Sequence, residues 1–259
     1  SNLKVADVMK SGTEGSIILN WLQPPFDNLK VRQAMLYAID QKAVLTGLFG
    51  NPNWFNAHPS WFTYGSPLYN EANSDWFRTA PDPEKAKQLL AEAGYDGTPV
   101  VILQATDRQV NADAVTIIAQ QMRAAGFNVQ IDAIDWATLL QRRPNKGPVS
   151  DGGWNAFVST FNGFISSNPY TFGHMATIGE NGWFGWPSDE RNEELKAAWM
   201  EAETPEERVS IAAEIQENAW NIVPRVSYGH WVQPVAYRSD LDGFVSIPGV
   251  LAFWNVKRA

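Results

Sequence analysis

The chain contains no cysteine among its 259 residues, which excludes disulfides, thiolate nucleophiles and thiolate metal sites. An oxidising compartment is compatible with that absence but not required by it. Charged residues make up only 19% of the chain, the Lys and Arg residues are scattered, and the formal charge is −8. A nucleic-acid partner is therefore excluded, because phosphate binding needs a basic surface that displaces counterions. No stretch approaches the roughly 20 apolar residues of a membrane span. The opening Ser-Asn-Leu-Lys has neither the basic nor the apolar segment of a secretory leader, so a leader is expected to lie outside this sequence.

Catalytic signatures are missing as well. There is no Gly-x-Ser-x-Gly elbow, no phosphate loop and no Gly-x-Gly-x-x-Gly. Gly179, Gly182 and Gly185 are evenly spaced but do not join a strand to a helix. His58, His174 and His230 lie far apart and match no metal-ligand spacing, so each reads as a hydrogen-bonded loop residue. The acidic pairs Glu193-Glu194 and Glu206-Glu207 sit at helix starts, where the helix dipole accounts for them. Asp132 and Asp135 flank a strand end and have the residue types of a glycosidase pair. Asp135 more simply caps the helix that begins at Trp136.

What the chain has in excess is tryptophan, 12 in all, gathered in Gly/Pro/Asn-rich loops. Trp54, Trp61 and Trp76 fall in one loop, Trp183 and Trp186 in another, and Trp231 beside His230 in a third. An indole has a large apolar face and one donor, which suits either a ligand wall or a plug for the space around long loops. Recognition by aromatics, rather than catalysis, is the first expectation.

Periodicity divides the chain into alternating elements. Residues 15–22 read as a buried strand ended by Pro24-Pro25, followed by helices from Val31 and, capped by Asp40, from Lys42 to Phe49. Residues 50–80 read as a long irregular loop, of the kind that is commonly functional. Asp82-Pro83-Glu84 opens a helix that stops at Gly94. Val100–Gln104, Ala112–Ala125 and Asn128–Ile134 predict strand, helix and strand, a crossover that joins parallel neighbours. A short helix from Trp136 to Arg143 and a strand from Trp154 to Thr160 follow. Ser188–Ala202 predicts a helix with Leu195, Ala198, Trp199 and Ala202 on its core face, where Trp199→Ala would cost about 3–5 kcal/mol. Thr204-Pro205-Glu206-Glu207 is a capping box for a helix to Ile222. Strands broken by Pro224 and Pro234 come next.

One segment carries a specific resemblance: Pro25-Phe26-Asp27-Asn28-Leu29-Lys30-Val31-Arg32-Gln33-Ala34-Met35-Leu36-Tyr37-Ala38-Ile39-Asp40. It closely resembles a hallmark of the dipeptide/oligopeptide/nickel (family 5) solute-binding proteins of ABC importers. The helix over 82–94, the strand–helix–strand ending Gly126-Phe127-Asn128-Val129, Trp154-Asn155 and the closing Phe253-Trp254-Asn255-Val256 are similar too. Trp183-Phe184-Gly185-Trp186-Pro187 resembles a proteobacterial branch. The resemblance implies an α/β fold, a periplasmic binding protein type II-like lobe with a mixed sheet flanked by helices and long aromatic-rich loops. It implies a C-terminal ligand-binding lobe over 25–242, with segments 3–24 and 243–259 joining a first lobe that is missing here.

The same resemblance implies a periplasmic, non-enzymatic importer component. Its expected partners are a small-molecule or short-peptide ligand, the missing first lobe and an ABC permease, with a dimer through the exposed lobe interface as a further expectation. No cofactor is expected, and neither His nor Met clustering supports nickel or haem. In peptide-binding members an arginine near the strand–helix turn meets the ligand carboxylate, and here Arg108 occupies that turn. Where those members place a carboxylate for the ligand ammonium, this chain has Asn162, Ser167 and Asn168. Those side chains suit a neutral, sugar-like or amide ligand. Phe161, Trp183 and Trp186, then Trp231 and Tyr64, are the expected ligand wall. A secreted carbohydrate-active enzyme and an aromatic protein-interaction module are the alternative readings.

Overall fold

The computed structural model describes residues 2–8, 11–171, 173–247 and 250–259. The strands are β1 (Leu3–Ala6), β2 (Thr13–Leu19), β3 (Phe55–Asn56), β4 (Val100–Ala105), β5 (Val129–Ile134), β6 (Ala156–Asn162), β7 (Arg225–Trp231) and five short ones, β8 (Val235–Arg238) to β12 (Lys257–Arg258). The helices are α1 (Leu29–Ala38), α2 (Gln41–Phe49), α3 (Asp75–Thr79), α4 (Pro83–Glu92), α5 (Gln109–Ala124), α6 (Trp136–Arg142), α7 (Glu190–Glu201) and α8 (Pro205–Ile222).

Helix starts follow local chemistry. Asn28, Asp40 and Asp82 each accept a backbone N–H at 2.9 Å in the first turn of α1, α2 and α4. Thr204 and Glu207 close a reciprocal capping box on α8. These bonds satisfy donors that a helix leaves orphaned at its N-terminus.

The strands assemble a six-stranded mixed sheet in the order β3-β7-β2-β6-β4-β5. β4 is parallel to β5 and to β6, whereas β2 is antiparallel to both β6 and β7. The carboxyl ends of β4, β5, β6 and β7 therefore share one edge with the amino ends of β2 and β3. A large core on one face packs α1, α2, α4, α5 and α8 against Ile17, Ile102, Val158 and Val226. A smaller core on the other face joins Ile18, Leu103, Phe157 and Phe161 to Trp154 and Trp186.

Two expectations need correction. Against a first segment over 3–24 set apart from the rest, β2 is hydrogen-bonded on both sides within this sheet. β1 pairs instead with β8 and, in the tail, β9 (Leu241–Asp242) pairs with β12 and β10 (Val245–Ile247) with β11 (Val250–Ala252). In α7 the buried face runs through Asn192, Leu195 and Lys196, while Ala198 is exposed and Trp199 half-buried. The buried polar residues are satisfied: Asn192 donates to Thr177 Oγ1 at 2.9 Å and Lys196 pairs with Glu193 at 2.9 Å. The long loop also contains β3 and α3, too short to show as periodicity.

Trp154 has no exposed surface, packs 4.9 Å from Phe157 and donates from Nε1 to the Arg143 carbonyl at 3.1 Å. Trp154→Ala should therefore cost about 3–5 kcal/mol, and Trp199→Ala only about 1–2 kcal/mol, in keeping with its partial burial. Urea unfolding of both variants checks the ranking; equal losses would overturn the α7 register.

Candidate ligand-binding edge

Ligands in open α/β sheets bind outside the carboxyl ends of the strands, and two cavities lie along that edge here. The first, about 380 Å³, is lined by Arg108, Gln109, Val110, Asn111, Trp136 and Thr160. Arg108 follows β4 as the residue before α5, and Trp136 opens α6 after β5. The parallel register, with Ala105 opposite Ile134, brings these two turns side by side. Asp107 Oδ1 accepts the Trp136 N–H at 2.7 Å and fastens them. The Arg108 guanidinium lies 5.4 Å from the Trp136 ring centroid, and among the described residues it makes no ion pair. It is an exposed, oriented cation at a helix N-terminus, suited to an anionic group.

The second cavity, about 300 Å³, is lined by Ser11, Tyr64, Pro67, Gly163, Phe164 and Ser167, with the rest of the 63–67 turn. Tyr64 and Phe164 are large apolar side chains that remain 43% and 52% exposed. The turn is fastened to the sheet from below. Thr63 donates from Oγ1 to the Gly163 carbonyl, Gly163 donates to Gly12 O at 2.9 Å, and the Tyr64 N–H donates to Glu14 at 3.2 Å. Glycine is required at 163, where a Cβ would stand 1.8 Å from the Ser11 carbonyl.

Below this cavity lies a buried polar cluster that the sequence spacing concealed. Glu14 is 4% exposed and meets His58 Nε2 at 3.2 Å, and His58 and His230 have ring centroids 6.4 Å apart. His58 Nδ1 accepts the Ser60 N–H at 3.2 Å, leaving Nε2 as the donor to Glu14. Burial opposes the ionised form of Glu14, yet His58, His230 and the Tyr64 N–H hold its carboxyl below the usual carboxylate range. Among the described residues no three such side chains converge as metal ligands.

The other expected site residues divide plainly. Trp186 and Trp231 are 3% and 2% exposed and belong to the two cores, Trp186 beside Trp154 and Trp231 beside Phe49. As packed, neither presents a wall to a ligand. Phe161 is buried and stacks on His174 at 4.3 Å, with half-buried Trp183 at 5.6 Å, on the sheet face away from Val158 and Thr160. Asn162 accepts from the Phe164 N–H and from Ser11, Asn168 accepts from the Tyr170 N–H, and Ser167 donates to the Phe164 carbonyl. These polar groups shape local turns, and of the three only Ser167 borders a cavity. Asp132 pairs with Arg142 and Asp135 caps α6 through Thr138, so both have structural partners. Trp136 was legible in principle from the strand–helix–strand unit, which places the turns after β4 and β5 together, whereas Thr160 comes from β6 and joins them only through sheet pairing.

This architecture has known counterparts. The family described as bacterial extracellular solute-binding proteins, family 5 Middle, matches residues 2–183. The chain belongs to this family. A curated relative from Sinorhizobium fredii, named "Probable peptide ABC transporter periplasmic-binding protein", is 39% identical over 259 residues, covering 100% of this chain and 48% of its own length. Heme-binding protein A of Haemophilus influenzae is 29% identical, covering 93% of this chain and 44% of its own. Among solved structures, the oligopeptide-binding protein AppA of Bacillus subtilis in complex with a nonapeptide has a TM-score of 0.79 at 18% identity, covering 100% of this chain and 53% of that one. The chain spans about half the length of the curated relatives it matches. The fold is that of the periplasmic binding protein type II kind.

Burial holds two histidines of this chain below their ordinary value of 6.5. Burial and the nearby Arg225 cation push His174 well down, and burial pushes His230 down against the pull of Glu14. The stability tied to their neutral forms is fully present above about pH 6.5 and is lost as pH falls below it, because only the unfolded chain takes up those protons. Glu14 acts in a separate window, below the ordinary carboxylate range. Urea unfolding between pH 7.5 and 5.5 should show falling stability, and His174→Gln should remove up to about 1.4 kcal/mol per pH unit of that slope. A slope identical to that of the parent chain would show that His174 is not the group responsible.

Proposed function

We propose that this chain is one lobe of the substrate-binding component of an ABC importer, periplasmic, which captures a peptide-like solute by its carboxylate. The observation that carries the reading is Arg108, a guanidinium with no ion pair among the described residues, oriented over Trp136 in a cavity at the carboxyl edge of the sheet. The Sinorhizobium relative's name supports a peptide ligand, and the twofold length of the relatives supports a second, N-terminal lobe. Exposed Leu3, Val5, Val250, Phe253 and Trp254 lie in the paired terminal segments, where a neighbouring lobe would cover them. Without it, the same surface is the place where a dimer would form. Capture works through lobe closure: the ligand favours the closed state by its extra contacts there. A permease would then read that closed state.

Arg108→Ala should leave stability within about 0.5 kcal/mol, since the residue is exposed. In the protein carrying both lobes it should weaken a carboxylate ligand by about 1.5–3 kcal/mol, the range for hydrogen bonds to charged groups. Calorimetric titration with acid and amide forms of one peptide decides the matter. Affinity unchanged by the substitution would remove Arg108 from the site.

A further inference from the structure

The two cavities lie along the same edge of the sheet. Thr160 lines the cationic cavity and Gly163 the uncharged one, and both stand at the end of β6. Val158 belongs to the larger core, and strand alternation puts Thr160 and Asn162 on its side of the sheet. The 63–67 turn follows Trp61 and Phe62 of the same core. Three residues of extended chain separate Thr160 from Gly163, about 10 Å at ~3.3 Å per residue.

The cavities differ in chemistry. One presents the Arg108 guanidinium and the Asn111 amide. The other presents the exposed rings of Tyr64 and Phe164 with Pro67 between serine hydroxyls, and among the described residues that line it none carries a charge. Two exposed aromatic rings bordering about 300 Å³ of space fit a large apolar group. Beneath it Glu14, ionised and buried, disfavours an anion there. An occupant bound through Arg108 thus has its orientation set: carboxylate at Thr160, bulky uncharged group at Gly163.

We infer that the Tyr64–Phe164 cavity is a specificity pocket for a bulky apolar side chain carried about 10 Å, or three extended residues, from the ligand carboxylate that Arg108 holds. This rests on the peptide-like reading of the Arg108 site and adds a length and a sequence preference to it. The pocket favours tripeptides whose first residue is aromatic over those whose last residue is.

The test is calorimetric titration of the two-lobed protein with Phe-Ala-Ala, Ala-Ala-Ala and Ala-Ala-Phe. Phe-Ala-Ala should bind at least about tenfold tighter than Ala-Ala-Ala, and Ala-Ala-Phe should show no such gain. Tyr64→Ala and, separately, Phe164→Ala should bring the Phe-Ala-Ala to Ala-Ala-Ala ratio to within about twofold; both residues are exposed enough for the variants to fold. Tripeptide binding with no position-dependent preference, or a preference that survives both substitutions, overturns the pocket assignment while leaving the carboxylate reading intact. Absence of binding by every tripeptide overturns both.

Discussion

Strand β2 hydrogen-bonds to β6 along one side and to β7 along the other, and no other strand joins the two halves of the sheet. Both sides being occupied, β2 has no freedom of register. A slip of one residue would turn Ile17 and Leu19 out of the larger core and Ile18 out of the smaller one. The fixed register places Ser11 and Gly12 under the end of β6 and Glu14 under the 63–67 turn. Arg108 and Trp136 are then held by the parallel side of the same sheet. At the opposite end of the strand, Asn20 donates to the Trp154 carbonyl at 2.8 Å, while Asn155 accepts from Val101 and donates to Pro24. Side-chain amides thus splice three strands to the turn that leads into α1.

Burial of charge accompanies this pairing. Arg225 on β7 is 5% exposed and donates to Ser16 of β2 and to the Trp61 carbonyl, with its guanidinium 4.1 Å from the Trp61 ring. Burial lowers its pKa to about 10, with Glu14 acting in the other direction, so it remains a cation at neutral pH. Glu14 and Arg225 sit on neighbouring strands and give the interior below the ligand edge both signs of charge. Such networks specify a single arrangement when their members are partnered. Here they tie the loop of His58 to Trp61 onto the sheet, and the 63–67 turn follows directly after it.

Local chemistry was legible in the sequence and long-range partnership was not. Asp40, Asp82 and the Thr204–Glu207 box bond within their own first turns, so sequence spacing alone located those helices. Arg32 shows the contrary case. It lies in the segment that carries the family resemblance, yet its guanidinium reaches Phe26 O at 2.8 Å and Ile222 O at 3.1 Å and lies 3.5 Å from the Trp21 ring centroid. Arg32 thus splices α1 to the end of α8. The tryptophans misled for a related reason. An indole that fills the space between a loop and a sheet has the same sequence context as one that meets a ligand, and Trp186 and Trp231 fill space. The Glu14–His58–His230 cluster was invisible because its members come from a strand start, a loop and a strand end, brought together only by pairing.

The walls of the uncharged cavity come from three stretches of chain, around Ser11, from Thr63 to Pro67 and from Gly163 to Ser167. Their backbones are locked to one another through Gly12, Thr63 and Gly163. The rings of Tyr64 and Phe164 stand on that frame, Tyr64 also packing on His58, Tyr69 and His230. On the proposed reading, selectivity would rest on those side chains and the shape of the wall on backbone bonds. A lineage could then exchange the two rings and change its diet while the backbone beneath kept its course.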